Sequence, residues 1–230
     1  MHFSSKISMA GLILASSAVF SANPAEGLYA GVMGGGSYMP SITFSTLNFD
    51  SNYYQSSGKL TYDGGGTAGV QIGTRIEQFR VEGEVNYTTN NMKTLKTNGI
   101  TIRQDSHNPG LNLKGKTYFI AGLINGFYEP LAYENDGNWT PYIGLGLGYA
   151  KVKNTLSFYY ATTQFANGND SASAPIAQGI LGVSWFFDDV IAFSIDGRYM
   201  TTKKITALDE RLTAGTINLV LNVAFDQSDA

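Results

Sequence analysis

The chain offers few side chains that could carry out acid–base or nucleophilic chemistry. It contains two histidines, His2 and His107, and no cysteine. His107 lies in the polar stretch QDSHN with Asp105 and Ser106, which are the residue types of a serine-hydrolase triad. A triad is defined by geometry in three dimensions, and side chains adjacent in a polar segment rarely form one. We therefore predict a solvated histidine, no catalytic residue and a protein that is not an enzyme, with an outer-membrane lipid-modifying enzyme as an alternative.

No metal or cofactor is indicated by the remaining residue types. Without cysteine the chain has no thiolate ligands. Glycine runs at 34–36, 64–66 and 144–148 have the composition of a phosphate-binding loop, but no helical pattern follows any of them. We interpret these glycines as places of close packing and strand bending. The mildly acidic charge, 18 acidic against 15 basic residues, gives no reason to expect a nucleic-acid partner.

One set of charged residues alternates with apolar residues and is balanced in sign. It consists of three cations and three anions: Arg75, Arg80, Glu82, Glu84, Asp196 and Arg198. If these positions face the inside of a β-barrel, the opposite charges must pair there. The set would then form either an ion-selective constriction or a neutralised plug. An eight-stranded barrel has room only for its own side chains, which favours the plug.

A second set of charged residues is almost entirely basic and lies between residues 88 and 116. It contains Lys93, Lys96, Arg103, Lys114 and Lys116, with Asp105 as the only acid in that stretch. Such a segment has the charge to bind acidic glycans or the phosphates of lipopolysaccharide. A solvated surface loop is the favoured interpretation, and anion binding is the alternative.

The elements that position these groups are β-strands. In TINLVLNVAF, residues 216–225, apolar side chains occupy every second position and two asparagines lie between them. This period of two predicts a strand with one apolar and one polar face. Segments of similar character predict eight strands, at 28–38, 67–76, 79–87, 117–128, 141–152, 175–186, 190–200 and 214–225.

The connections between these strands alternate in length, as in an up-and-down transmembrane barrel with short periplasmic turns. Tight turns are predicted around 76–78 and 188–189, long connections at 39–66, 88–116 and 153–174, and intermediate ones at 129–140 and 201–213. The polar strand faces are rich in Gly, Asn, Ser and Ala, which is typical of a crowded barrel interior. The leucines of strands such as 141–152 would then face lipid. A soluble lipocalin-type barrel is the alternative, and it would need those leucines inside and a glycine-coated exterior.

The N-terminal residues predict export from the cytoplasm. Lys6 precedes the apolar run ISMAGLILASSAVF, which has the length of a signal-peptide core and is too short for a membrane-spanning helix. We predict a signal peptide over residues 1–22, cleaved between positions 18 and 25, and a barrel over residues 27–225.

Several strands also resemble a known family. LYAGVMGGGSYMPS, FRVEGEVNYTT and AGLINGFYEP followed by TPYIGLGLGYA resemble the bacterial surface-antigen outer-membrane barrels, which include the rickettsial major surface proteins. The wider similarity is to the eight-stranded barrel of outer-membrane protein A. This resemblance implies surface loops that contact the outside world, in proteins described as antigens, adhesins or small porins. It also implies that Phe225 is the terminal aromatic read by the assembly machinery, although five residues follow it.

Together these observations predict an all-β protein, an eight-stranded antiparallel up-and-down transmembrane β-barrel in the bacterial outer membrane. We expect a monomer that presents long extracellular loops, is inserted by the barrel assembly machinery and contacts outer-membrane lipid and lipopolysaccharide. A host or environmental surface molecule is the expected loop ligand, and a small diffusion porin is the alternative function.

Overall fold

A computed structural model describes residues 26–44, 47–49, 52–54, 58–97, 99–104, 110–132, 138–160, 163–204 and 211–225. Within these ranges the chain forms strands β1 Gly27–Tyr38, β2 Ile42–Phe44, β3 Leu47–Phe49, β4 Asn52–Tyr54, β5 Gly58–Ile76, β6 Phe79–Thr97, β7 Ile100–Arg103, β8 Leu111–Tyr128, β9 Trp139–Tyr160, β10 Thr163–Phe186, β11 Ile191–Thr202 and β12 Thr213–Ala224. The predicted signal peptide, Asp105 and His107 lie outside the described residues. Over the ranges given above, no helix has the length and hydrophobicity needed to cross a membrane.

Eight strands close into an antiparallel up-and-down barrel: β1, β5, β6, β8, β9, β10, β11 and β12. Each pairs with its neighbours in chain order, and β1 closes the cylinder because it pairs with both β5 and β12. Val32 of β1, for example, lies between Val70 and Leu221. Closure satisfies the backbone hydrogen bonds that an open strand edge would leave unpaired in hydrocarbon. The predicted fold class is therefore confirmed.

The two ends of the barrel differ. One of them, which we call the turn end, contains the start of β1, the end of β12 and the connections 77–78, 129–138 and 187–190. In the last of these turns, Asp188 Oδ1 accepts hydrogen bonds from the backbone N–H groups of Val190 (2.9 Å) and Ile191 (2.6 Å). The opposite end, the loop end, carries the other four connections, including β2, β3, β4 and β7. The predicted alternation of short and long connections agrees with this arrangement in part: 77–78 and 187–190 are short turns at the turn end, but β9 and β10 at the loop end are joined by residues 161–162 alone.

Five strands extend further toward the loop end than the sequence predicted. β5 begins at residue 58, β6 ends at 97, β8 begins at 111, and β9 and β10 contain 22 and 24 residues. A transmembrane strand needs about 9–11 residues, so these hairpins rise well beyond a bilayer. The predicted long connections 88–116 and 153–174 are thus largely paired strand rather than loop. The prediction missed this because outward positions beyond the bilayer meet water and lose their apolar alternation.

The outer wall of the barrel between the two ends is apolar. Leu145 is 73% exposed and Leu219 67% exposed on the isolated chain, whereas Asn218 is 1% exposed. The leucines face outward and the asparagines inward, as predicted. Exposed aromatic side chains border this wall, at the turn end Phe79, Tyr128, Trp139 and Trp185 and nearer the loop end Tyr38, Tyr87, Tyr149 and Tyr199. An apolar band between two aromatic borders is the surface of a transmembrane barrel.

Candidate functional site in the barrel interior

The first group of interior charges, the turn-end cluster, consists of Arg75, Arg80, Glu82 and Glu129. Arg75 and Arg80 lie directly opposite each other on β5 and β6, because the turn between these strands is tight. Both contact Glu129: Arg75 Nη2 is 3.0 Å from Oε2, and Arg80 Nε is 3.4 Å from Oε1. Arg80 also approaches Glu82 Oε1 at 3.5 Å, and the Tyr29 hydroxyl donates to that oxygen at 2.6 Å. Two cations and two anions are thereby paired at one end of the interior.

The second group, the mid-barrel cluster, consists of Glu84, Asp196 and Arg198. Arg198 binds Asp196 through two parallel hydrogen bonds, from Nε to Oδ1 at 2.9 Å and from Nη2 to Oδ2 at 2.8 Å. Its Nη1 reaches across the barrel to Glu84 Oε2 at 2.6 Å. Asn125 and Gln178 also donate to that Glu84 oxygen, at 2.6 and 3.2 Å. Charge-assisted bonds of this kind fix the relative positions of β6, β8, β10 and β11.

Aromatic rings surround the arginines and connect the two clusters. The guanidinium carbon of Arg80 lies 4.3 Å from the ring centre of Phe127 and 5.0 Å from that of Tyr142. The Tyr142 hydroxyl in turn donates to Asp196 Oδ2 at 3.2 Å. Tyr142 therefore contacts a cation of the turn-end cluster and an anion of the mid-barrel cluster. Cation–π contacts contribute most when, as here, the groups are shielded from water.

All six interior charges predicted from the sequence are buried inside the barrel, and the structure adds a seventh. Glu129 is 0% exposed and follows the last residue of β8. Strand parity could have identified it, because Asn125 and Phe127 face inward and the next position of the same parity is 129. The sequence pattern predicts that the strand ends at residue 128 and that Glu129 belongs to a connection. With Glu129 the two clusters contain three arginines and four carboxylates.

Inward glycines make room for these large side chains. A Cβ atom at Gly146 would overlap Asn125 and contact Gln178, both of which bind Glu84, and one at Gly144 would overlap the Phe127 ring. The glycine run at 144–148 is thus a packing feature of a narrow interior, as the sequence analysis predicted.

The interior nearer the loop end is apolar, contrary to the uniformly polar interior that the sequence suggested. There a set of buried side chains, the loop-end core, includes Met39, Tyr62, Met92, Leu95, Ile102, Leu113, Phe119, Val152, Phe158, Ile176, Met200 and Leu212. Along β8 the inward positions change from Leu113 and Phe119 in this core to Asn125 near the charged clusters. The reason is that the extended hairpins have water outside, so only an apolar interior can stabilise them.

The predicted basic residues lie on strands rather than in a loop. Lys93 and Lys96 are on β6, Arg103 is on β7, and Lys114 and Lys116 are on β8; all are exposed on the outer surface at the loop end. Lys93 Nζ pairs with Asp63 Oδ1 at 2.8 Å. Phe225, the predicted assembly signal, lies just after β12, is exposed, and donates its backbone N–H to Leu28 O at 2.8 Å.

A metal-binding arrangement is not found in the described part of the chain. Three or more His, Asp or Glu side chains placed to hold a metal ion do not occur among those residues. The buried carboxylates are bound to arginines, amides and tyrosines, as described above. What this interior can do chemically is hold opposite charges together in a confined space.

Comparison with known proteins agrees with this architecture. The sequence model of the outer membrane protein beta-barrel domain matches residues 7–225. Similar solved structures include neisserial surface protein A. It is 15% identical to this chain over 87% of this chain and 99% of its own (TM-score 0.48). OprG from Pseudomonas aeruginosa is 12% identical over 87% of this chain and 95% of its own (TM-score 0.51). Ail from Yersinia pestis, solved with the heparin analogue sucrose octasulfate, is 12% identical over 86% of this chain and 99% of its own (TM-score 0.45). At 12% identity the OprG structure shows the fold alone. No curated protein sequence matches the chain.

Proposed function

Because the chain belongs to the outer membrane protein β-barrel domain family, and so to the bacterial outer membrane, we propose that it is a non-enzymatic barrel that displays its loop-end connections for surface interaction. Its interior is closed by its own side chains. The loop end faces the outside of the cell, since short turns lie in the periplasm in barrels of this kind. The expected ligand is a molecule of a host or environmental surface.

The observation that carries this proposal is the extension of the strands beyond the membrane. The β9–β10 hairpin alone contains strands of 22 and 24 residues, about twice the length needed to cross the bilayer. Its inward side chains Val152, Phe158 and Ile176 contribute to the loop-end core. A barrel that served only as a pore would not need this folded extension. A rigid, hydrophobically packed stalk is suited to hold these connections at a distance from the lipid surface.

The closed interior is supported by two successive layers of side chains. Near the turn end, the arginines and carboxylates of both clusters bind one another across the barrel, as Arg198 does with Glu84. Toward the loop end, Leu113 and Phe119 are 0% and 1% exposed within the loop-end core. Ions would have to break the first layer and pass through the second, at a high desolvation cost. This favours a plug over the small diffusion porin.

Planar-bilayer conductance distinguishes the plug from the porin. Purified wild-type protein should show negligible or very small conductance next to a general porin measured in the same bilayer. Arg198→Ala should lower the unfolding midpoint without producing steady channels, because the loop-end core remains packed. Large, steady wild-type conductance together with an Arg198→Ala variant as stable as the parent would refute the plug and favour the porin.

A binding screen tests the display function. Folded protein in phosphatidylcholine nanodiscs should bind a component of host-surface extracts or purified lipopolysaccharide, and replacing residues 39–57 or 161–162 by short glycine–serine connectors should weaken that binding. Binding that survives replacement of every loop-end connection would contradict the proposal. Incubation with outer-membrane lipids tests the enzymatic alternative, since lipid modification that disappears in His107→Ala would establish it.

A further inference from the structure

The outer wall of the barrel carries an apolar groove across β5, β6, β8 and β9. The groove has a volume of about 750 Å³, and its side chains include Val85, Ile124 and Leu147. Its floor is formed by Gly83 and Gly122. A Cβ atom added at Gly122 would meet no heavy atom within 4 Å, so the groove is open toward the lipid at this point. An opening of this kind in a membrane-facing wall has the shape and polarity to accept an acyl chain.

Tyrosines and lysines follow this groove toward the loop end. Gly122 pairs with Tyr149 in the β8–β9 register, and the next outward positions along the two strands pair Ile120 with Lys151 and Tyr118 with Lys153. Along β8, Tyr118 separates the groove from Lys116, and its ring lies 5.8 Å from that of Tyr87 on β6. Along β9, Tyr149 precedes Lys151 and Lys153. The outer surface therefore changes from apolar to aromatic to basic along one line, which is the order of acyl chain, interface and head group in a lipid.

Four lysines form the basic part of this line: Lys114 and Lys116 on β8 and Lys151 and Lys153 on β9. Lys116 and Lys153 are diagonal neighbours on the same face, a spacing of about 7–8 Å between strands. Lys93 has Asp63 as a partner, but in the described part of the chain none of the four lysine amino groups has a hydrogen bond or an ion pair. Such a group of unneutralised cations is unfavourable by itself and is stabilised by an anion.

We propose that this surface is a binding site for a phosphate-bearing anionic membrane lipid, with an acyl chain in the Gly83–Gly122 groove and its phosphate on Lys116, Lys151 and Lys153. A free phosphate would use the lysines but not the groove. A second copy of this chain, meeting through the same surface, would bring lysines against lysines. The lipid alone satisfies both parts of the site. This site is independent of what the loop-end connections bind.

Lipid retention provides the test of the lysines. Detergent-purified protein, incubated with equal amounts of phosphatidylglycerol and phosphatidylcholine and examined by native mass spectrometry, should retain phosphatidylglycerol preferentially. Lys151→Gln/Lys153→Gln should reduce that retention at least about tenfold, since each lysine near an anionic lipid contributes about 1 kcal/mol. Lys59→Gln/Lys96→Gln, which removes two lysines paired with each other on β5 and β6, is the matched control and should have little effect. Equal losses in both variants would overturn the proposal, because only net charge would then matter.

The groove is tested separately with Gly122→Leu, which places a side chain in the open space, since a Cβ atom there meets no heavy atom within 4 Å. It should lower phosphatidylglycerol retention several-fold, whereas Gly126→Leu, equally open and on the same strand, should not. Inorganic phosphate should compete poorly with the lipid. If Gly122→Leu has no effect, or if inorganic phosphate displaces the lipid at low concentration, the site is a phosphate site only and the proposal is wrong. Heat-dependent gel mobility confirms that each variant is folded.

Discussion

Glu129 pairs with two arginines that come from neighbouring strands, and it is the residue on which the turn-end cluster depends. Its Oε2 accepts a hydrogen bond from Arg75 Nε at 3.1 Å, and its Oε1 forms an ion pair with Arg80 Nε at 3.4 Å. Arg80 has a further ion pair with Glu82 at 3.5 Å, about as long as its contact with Glu129. A buried guanidinium that loses its carboxylate has no solvent to replace it, so the cost of removing Glu129 falls on both arginines.

Glu129→Gln should accordingly lower the free energy of unfolding by about 3–5 kcal/mol. The amide keeps the shape of the side chain but removes the charge, so the effect isolates the ion pairs. Urea unfolding in lipid vesicles, followed by tryptophan fluorescence, measures the change. Asp189→Asn, at an exposed turn position of the same end, is the control and should stay within about 0.5 kcal/mol. A Glu129→Gln variant as stable as Asp189→Asn would show that the pairs do not contribute to stability.

At the scale of the strands, the binary pattern inverts along β8. Within the membrane the outward positions are apolar, such as Ile124, and the inward ones include Asn125. Beyond the membrane the outward positions are Lys114 and Lys116, and Leu113 faces inward. One strand thus has the pattern of a membrane protein in one half and of a soluble protein in the other, because its outer face passes from lipid into water.

Leu113→Ala should therefore destabilise the loop-end core by about 2–5 kcal/mol, through lost burial and the cavity left behind. Lys114→Ala, the adjacent outward residue, should have almost no effect on stability. Limited proteolysis of the folded protein is the sensitive measurement, since the hairpins above the bilayer should be cleaved faster in the leucine variant alone. Equal protection of both variants would mean that the extension does not depend on an apolar interior.

Leu145→Arg tests the membrane half of the same pattern. Leu145 is among the most exposed apolar side chains of the outer wall, and an arginine there, or at Leu219, places a charge near the middle of the bilayer. We expect a loss of about 2–4 kcal/mol in the free energy of folding into vesicles. Lys151→Arg, on the same face of β9 but beyond the aromatic border, is the matched control and should fold like the parent. A near-neutral effect at both leucines would mean that the apolar face does not contact lipid.

The two ends of the molecule differ in charge as well as in how far the strands extend beyond the bilayer. Exposed acidic residues border the turn end, Glu26, Glu77, Asp188 and Asp189, while the exposed lysines of the described ranges lie toward the loop end. The structure fixes which residues share an end, and the proposed orientation of that axis in the membrane rests on the short turns 77–78 and 187–190.

Cysteine labelling tests this orientation, and the absence of native cysteine gives a clean background. In intact cells a membrane-impermeant maleimide should label Lys203→Cys, at the loop end. Asp189→Cys should react only after the outer membrane has been opened. Labelling of Asp189→Cys in intact cells, with Lys203→Cys protected, would reverse the proposed topology.

The sequence by itself determined the class of fold, the number of barrel strands and which face of each strand meets lipid. It could do so because a bilayer imposes a strict period of two on the outer face, as in Leu145 and Leu147 or Ile217 and Leu219. The same parity placed Arg80, Glu82, Glu84, Asp196 and Arg198 inside. These properties are local, since they depend only on whether a position faces lipid or lumen.

Only the tertiary structure decided which interior groups meet and how far the strands continue. Glu84 and Arg198 are 114 positions apart in the chain, and nothing in their local sequence indicates that they bind across the barrel. The loop-end core escaped the sequence analysis for a related reason. Leu95, Leu113 and Phe158 belong to strands whose outer faces meet water, so the lipid-imposed alternation is absent there. Their burial depends on closure of the barrel, which brings together residues from every part of the chain.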